Sequence, residues 1–188
     1  MARILALDFE TASHAPDSAC ALGLALVEDG RIVAEDAFLI RPPEPEFVFT
    51  YIHGLRWEDV AEAPAFDQAW ERLAPWLDKA DWLAAHNAPF DRGVLGACCR
   101  TYGLAPVDTP FLCTVQVARR VWGIYPTKLP MVCRALGIPL QHHDAASDAS
   151  ACARILVRAL AEGWAPEPRE RANPAESPAH LFSKPRSD

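Results

Sequence analysis

The stretch Ile4–Glu10, ILALDFE, holds the contradiction on which the fold turns. Its first four residues are a continuous apolar run, the pattern of a strand buried on both faces. It then ends on two carboxylates, Asp8 and Glu10, two residues apart. Side chains alternate along a strand, so Ile4, Ala6, Asp8 and Glu10 share one face, and Leu5, Leu7 and Phe9 the other. The two acids therefore point the same way from Cα atoms about 7 Å apart. Like charges at that spacing repel, and burial disfavours both further. A divalent cation between them removes both difficulties. A strand that ends near Asp8 and leaves Glu10 in solvent avoids them. The stretch by itself does not separate these two readings.

Working outward, Ala19–Ile40 carries two apolar runs around Asp29-Gly30, a dipeptide suited to tight reversal, and predicts an antiparallel hairpin. Arg41–Phe47, RPPEPEF, cannot be helix interior. From about Pro64 the period changes: Phe66, Trp70, Leu73 and Leu77 recur at helical spacing. Trp82–His86 reads as a short strand, Pro89–Tyr102 as a helix, and Phe111–Thr114 as another strand. Helices follow near Val115–Val121 and over Leu129–Leu136, the latter stopped by Gly137, and over Ala145–Glu162, stopped by Gly163. Three strands followed by alternating helix and strand predict an α/β domain with helices flanking a mixed sheet.

The domain is expected over residues 1–163, with a proline-rich, charged tail over 164–188 that has no core of its own. Trp164, Leu181 and Phe182 are the residues by which that tail could dock. The chain has 188 residues, an apolar fraction of 51% and a charged fraction of 23%, ordinary for a globular protein. No apolar run reaches membrane-spanning length and no signal peptide is evident, so a cytoplasmic protein is expected. The six cysteines form no CxxC pair and read as reduced core residues. Cys98 and Cys99 with His142 and His143 carry zinc-ligand atoms, but at no zinc-binding spacing. The formal net charge is −7, yet residues 92–134 are net +5, with Asp108 their only acid. That excess is either a solvated face or a phosphate-contacting patch.

The oddity of the first strand recurs twice. Asp91 heads the apolar face Val94, Leu95, Cys98 and Tyr102 of its helix, and Asp148 heads the stripe Cys152, Ile155 and Leu156 of the last one. A helix dipole accounts for one such acid. Four acids heading elements that pack on one sheet point instead to hard divalent cations, Mg²⁺ or Mn²⁺. Two such ions suit phosphodiester hydrolysis. A general base would come from the His142-His143 pair, of which one member is expected to serve because neighbours in a loop usually point apart.

Together and in order, LDFET (Leu7–Thr11), HNAPFD (His86–Asp91) and HHDAASDA (His142–Ala149) resemble the three motifs of the DEDDh 3′→5′ exonucleases, and stand-alone bacterial relatives of the polymerase III epsilon proofreading subunit in particular. The resemblance runs from Ile4 to about Leu160. It implies an RNase H-like fold with a five-stranded mixed sheet, two Mg²⁺ or Mn²⁺ ions, and release of 5′-mononucleotides from a 3′ end. It implies that Asp8 bridges both ions, that Glu10 and Asp148 complete the ion that activates water, and that Asp91 serves the second. The family's histidine stands five residues before its last aspartate, which selects His143. YIHGLRWEDV (Tyr51–Val60) is similar to the family's terminal-nucleotide segment, which makes His53, Gly54 and Leu55 pocket candidates, with Thr11, Asn87 and Phe90 nearby.

The partner implied is a single-stranded or 3′-ended nucleic acid, DNA ahead of RNA. The family often reads DxETTG where this chain has DFETASHAPDS (Asp8–Ser18), so backbone contacts around Thr11 are open to change. No tail segment matches a polymerase- or clamp-binding motif, which leaves polymerase association open. A non-catalytic nucleic-acid-binding or polymerase-accessory module on the same fold is the alternative, and an RNase H-type endonuclease a third.

Overall fold

The computed structural model describes residues 2–167. The apolar run forms β1 (Ile4–Thr11), followed by β2 (Ala19–Glu28) and β3 (Arg31–Leu39). β1 does not stop at Asp8. Its antiparallel pairing with β2 continues through Asp8↔Gly23 and Glu10↔Ala21 to Thr11↔Ala19, with an irregularity at Glu10/Thr11. Both acids are thus held by strand backbone, and the reading in which Glu10 lies beyond the strand is excluded.

Two short helices, α1 (Thr50–His53) and α2 (Trp57–Val60), follow the proline-rich connection. The chain then continues as α3 (Phe66–Leu77), β4 (Trp82–Ala85), α4 (Ala88–Thr101), β5 (Phe111–Cys113), α5 (Thr114–Trp122), α6 (Leu129–Leu136) and α7 (Ala145–Ala161). The five strands form one sheet in the order β3-β2-β1-β4-β5. β1 pairs parallel with β4, and β4 parallel with β5. This is the expected mixed sheet, with β1 at its centre.

The two faces of β1 build two cores. Leu5, Leu7 and Phe9 pack with Phe66, Leu73, Val94 and Leu95 from α3 and α4. Ile4 and Ala6 pack on the opposite side with Val117, Cys152 and Leu156 from α5 and α7. Burying each large aliphatic chain stabilises the domain by about 1.5–3 kcal/mol. The central strand that carries Asp8 and Glu10 is thus held by packed neighbours on both faces.

Trp164, the first residue after the expected boundary, packs against the domain. Its backbone N–H donates to Ala159 O at 3.0 Å, and its ring packs on the α5/α7 core. Glu167 pairs with Arg120 at 2.7 Å. The rest of the proline-rich segment, including Leu181 and Phe182, lies outside the described residues.

Gly23 permits the contact that brings α7 to the sheet. A Cβ there would lie 1.9 Å from Ala145 O and 2.4 Å from its carbonyl carbon, the backbone of the first turn of α7. Gly23 sits opposite Asp8 in the ladder, so the same contact sets how near Asp148 comes to Asp8. Gly23→Ala is therefore expected to destabilise the domain by about 1–3 kcal/mol, the usual cost of overpacking, and to weaken Mn²⁺ binding by more than the loss of stability accounts for. Gly93→Ala is the control, because nothing lies within 4 Å of its added Cβ and the site is an exposed turn of α4. It should gain about 0.5–1 kcal/mol. Chemical denaturation and Mn²⁺ titration of both variants check this.

Candidate active site

Asp8 and Glu10 leave β1 toward the α7 side, as the alternation requires. Asp148, in the first turn of α7, comes down onto them and is only 4% exposed. One carboxylate oxygen from each of Asp8, Glu10 and Asp148 lies within 4.8 Å of the others.

Asp91 arrives differently from the three acids on the α7 side. It heads α4, which packs on the opposite side of the sheet, and it is 1% exposed. The β1–β4 ladder ends at Ala6↔Ala84, so beyond it the backbone of β1 has no strand partner on that side. Asp91 fills the gap: its Oδ1 accepts the Phe9 N–H at 3.0 Å. Asp91 stands beside the three-acid group rather than within it, with one carboxylate oxygen engaged with backbone.

The electrostatics follow from this crowding. Burial raises Asp8 well above the usual carboxylate range, and the charges of Asp91, Asp148 and Glu10 raise it further. Burial pushes Glu10 up to about 7, with help from Asp148 and Asp144. Burial also pushes Asp91 up to about 7, against the Phe9 N–H, which favours its charged form. Asp148 is raised by burial and held back by His142 and by the His143 N–H. Its Oδ2 accepts from both, at 2.8 Å and 3.2 Å, while its buried Oδ1 has no hydrogen-bond partner among the described residues. A buried carboxylate oxygen without a donor, inside a group of acids that repel one another, fits a divalent cation with oxygen ligands. No cysteine joins the group, so the zinc alternative with Cys98 and Cys99 finds no support among the described residues.

The histidine pair departs from expectation. The rings of His142 and His143 do not point apart; they stack at 3.8 Å with a 23° angle between planes. His143 adopts a left-handed backbone (φ 69°), which turns it back beside its neighbour. His142 is the one bonded to Asp148, whereas His143 lines a hollow of about 210 Å³ with Glu10, His53 and Leu55. Burial and the adjacent His142 lower the pKa of His143, leaving it neutral and able to accept a proton near neutral pH.

The residues expected around a terminal nucleotide are split. His53 is anchored twice: its Nε2–H donates to Thr11 O (3.2 Å), and its Nδ1 accepts from Leu55 N–H (3.1 Å), which fixes the tautomer. Gly54 supplies the turn between His53 and Leu55, with φ 80°. Thr11 is buried and offers its carbonyl rather than its side chain to His53. Phe90 is 47% exposed at the start of α4. Asn87 instead lines a second, larger hollow of about 680 Å³ with Asp8 and Asp148.

Three contributors escape the motif reading. Asp144 caps α7, accepting the Ser147 N–H at 2.8 Å, and adds negative charge near Glu10. An aspartate just before an apolar-periodic run is an N-cap signal, so this one was readable. His142 was legible as one of two candidate bases but not as a partner of Asp148, and Gly23 only as a glycine in a strand.

Residues 5–156 match the family described as Exonuclease (RNase_T). The PolC-type DNA polymerase III of Bacillus cereus is 27% identical over 147 residues, which is 77% of this chain and 10% of that protein. Exodeoxyribonuclease 10 of Escherichia coli K12 is 30% identical over 151 residues, or 75% of this chain and 62% of that protein. The chain thus spans less than two thirds of the length of either relative.

Among solved structures, Exonuclease X in complex with 5′ overhanging duplex DNA superposes with a TM-score of 0.69 at 27% identity, covering 88% of this chain and 95% of that one. The nuclease domain of 3′hExo, a DEDDh family member bound to rAMP, reaches 0.73 at 20% identity, over 86% and 92% of the two chains, and supports the fold. With the family matched across most of its length and the five-stranded sheet in place, the chain belongs to the RNase_T exonucleases and has an RNase H-like fold.

Proposed function

We propose that this chain is a 3′→5′ exonuclease acting on DNA, releasing 5′-mononucleotides with the help of two Mg²⁺ or Mn²⁺ ions. The observation that carries it is the group formed by Asp8, Glu10 and Asp148, whose buried, unpartnered Asp148 oxygen calls for a cation, with His143 adjacent. The preference for DNA is drawn from exodeoxyribonuclease 10 and from the overhanging duplex bound by Exonuclease X.

In this reading Asp8, Glu10 and Asp148 hold the cations, and Asp91 serves the second one from beside them. When bound, the cations supply charge neutralisation and Lewis-acid polarisation of the attacking and leaving oxygens. His143 accepts the proton of the attacking water, and its lowered pKa keeps it ready to do so. His142 and the His143 backbone N–H orient Asp148 through its Oδ2, leaving Oδ1 free for a cation. His53 and Leu55, locked together by their hydrogen bond, wall the hollow beside Glu10 that takes the terminal nucleotide; Thr11 and Gly54 act through His53, by the Thr11 carbonyl that holds its ring and the turn at Gly54 that follows it.

The acid residues also make the cation-free protein sensitive to pH. Glu10 and Asp91 bind protons more tightly folded than unfolded, so their contribution to stability is present at low pH and is lost as pH rises from about 4 toward 7. Without divalent cations, melting temperature is expected to fall between pH 5 and pH 7.5 more steeply in the wild type than in Glu10→Gln, by roughly 2–4 °C per kcal/mol of relieved repulsion. Saturating Mn²⁺ should recover the loss at pH 7.5 and do little at pH 5. Differential scanning calorimetry distinguishes these cases.

Turnover separates the roles. Asp8→Ala should abolish both activity and tight Mn²⁺ binding. His143→Ala should lower kcat by about 10²–10⁴ with cation affinity nearly kept. His142→Ala should cost about tenfold, one hydrogen bond to a charged group. Gel analysis of labelled 3′-OH oligonucleotides gives the rates, and calorimetric titration the affinities. Wild-type protein that binds Mn²⁺ but leaves every oligonucleotide intact would show a binding module instead.

A further inference from the structure

The larger hollow has a chemistry that the acid group does not explain. It opens beside Asp8 and Asp148 and is walled by Asn87, Arg119, Tyr125 and Lys128. The smaller hollow on the Glu10 side contains no lysine or arginine. A strand passing over the acids must therefore leave its terminal nucleoside in one hollow and the rest of its backbone in the other, and only one of them offers cations.

We propose, resting on the exonuclease reading above, that the cleft between α5 and the start of α6 is the subsite for the leaving strand. Arg119 and Lys128 take the phosphodiester one nucleotide 5′ of the bond being cut, and Tyr125 takes the base of that nucleotide by stacking. Arg119 and Lys128 form no ion pair with a carboxylate among the described residues, whereas Arg3, Arg72 and Arg120 each do. Cations left unpaired next to a group of acids are placed to offset its repulsion of an incoming polyanion. Tyr125 is 70% exposed, an aromatic surface without a burial role, and a stacking platform accepts any base.

The cleft is also held in shape before anything binds. Arg119 Nε donates to Thr127 Oγ1 (2.9 Å), and its guanidinium lies 5.2 Å from the centre of the Tyr125 ring. Thr127 is buried and its hydroxyl donates to Ile124 O at 2.9 Å. His86 fastens the same loop from below: Nε2–H donates to Thr127 O (3.0 Å), while Nδ1 accepts from Thr114 Oγ1 (2.9 Å). Burial lowers the pKa of His86, consistent with that neutral tautomer. The side chain of Arg119 is thus tethered at Nε and leaves its terminal nitrogens to a ligand. This gives the net positive stretch over residues 92–134 a definite role at two of its residues.

The test compares three substrates in Mn²⁺: the p-nitrophenyl ester of thymidine 5′-monophosphate, which has no leaving strand, and a thymidine dinucleotide with and without a 5′-phosphate. In the wild type the added 5′-phosphate should raise kcat/KM about tenfold. That advantage should vanish in Arg119→Met/Lys128→Met and survive in large part in Arg119→Lys. On a long thymidine oligonucleotide, the slope of log(kcat/KM) against log[salt] should flatten by about 0.7 for each cation removed. Tyr125→Ala should lower kcat/KM for the oligonucleotide relative to the ester by roughly tenfold, with Tyr125→Phe near wild type.

Ester hydrolysis with a 5′-phosphate advantage that is absent, or unchanged in the double variant, would overturn the subsite while leaving the exonuclease reading intact. A wild type inert toward the ester and every oligonucleotide would remove both.

Discussion

Three carboxylates forced together at the end of a buried strand are the constraint on which this structure depends. Asp8 and Glu10 share a face because strand side chains alternate, and Asp148 is delivered onto them by the packing of α7. Their ionised forms repel and are poorly solvated, which is why burial heads the causes that raise each of their pKa values. A core would not tolerate this arrangement unless something positive answered it. The surrounding features read as ways of holding the acids in place: two hydrophobic cores clamp β1, and two donors fix one oxygen of Asp148 while the other is left open.

Asp91 shows how the two layers are tied together. It belongs to a helix on the far side of the sheet, and reaches the site only because the β1–β4 ladder ends early enough to leave the Phe9 N–H without a strand partner. The same hydrogen bond satisfies a buried donor and ties the first turn of α4 to the strand that carries Asp8 and Glu10. The second oxygen of this carboxylate lies outside that bond.

Much of this was legible in the sequence, for reasons that can be named. The continuous apolar run identified β1, the Asp-Gly reversal identified the hairpin, and acids heading apolar helix faces identified Asp91 and Asp148. The illegible parts depend on geometry that only tertiary contact sets. α1 and α2 have four residues each, too few to show a period, and follow a proline-rich segment. The stacking of His142 on His143 depends on a left-handed backbone that a non-glycine residue seldom adopts. Splitting the pocket candidates between two hollows required knowing that Asn87 lies on the other side of the acids from His53.

The close approach at Gly23 has a consequence for how stiff the site is. α7 rests there on bare strand backbone, and what meets it is the carbonyl group of Ala145, not a side chain. Neither partner has a rotamer to change. Repacking elsewhere in the α5/α7 core can shift side chains among their wells, but this contact has no such slack, and Asp148 lies one helical turn from it. The distance from Asp148 to Asp8 is thus gauged by main chain against main chain, which makes it insensitive to gradual change in the apolar residues around it.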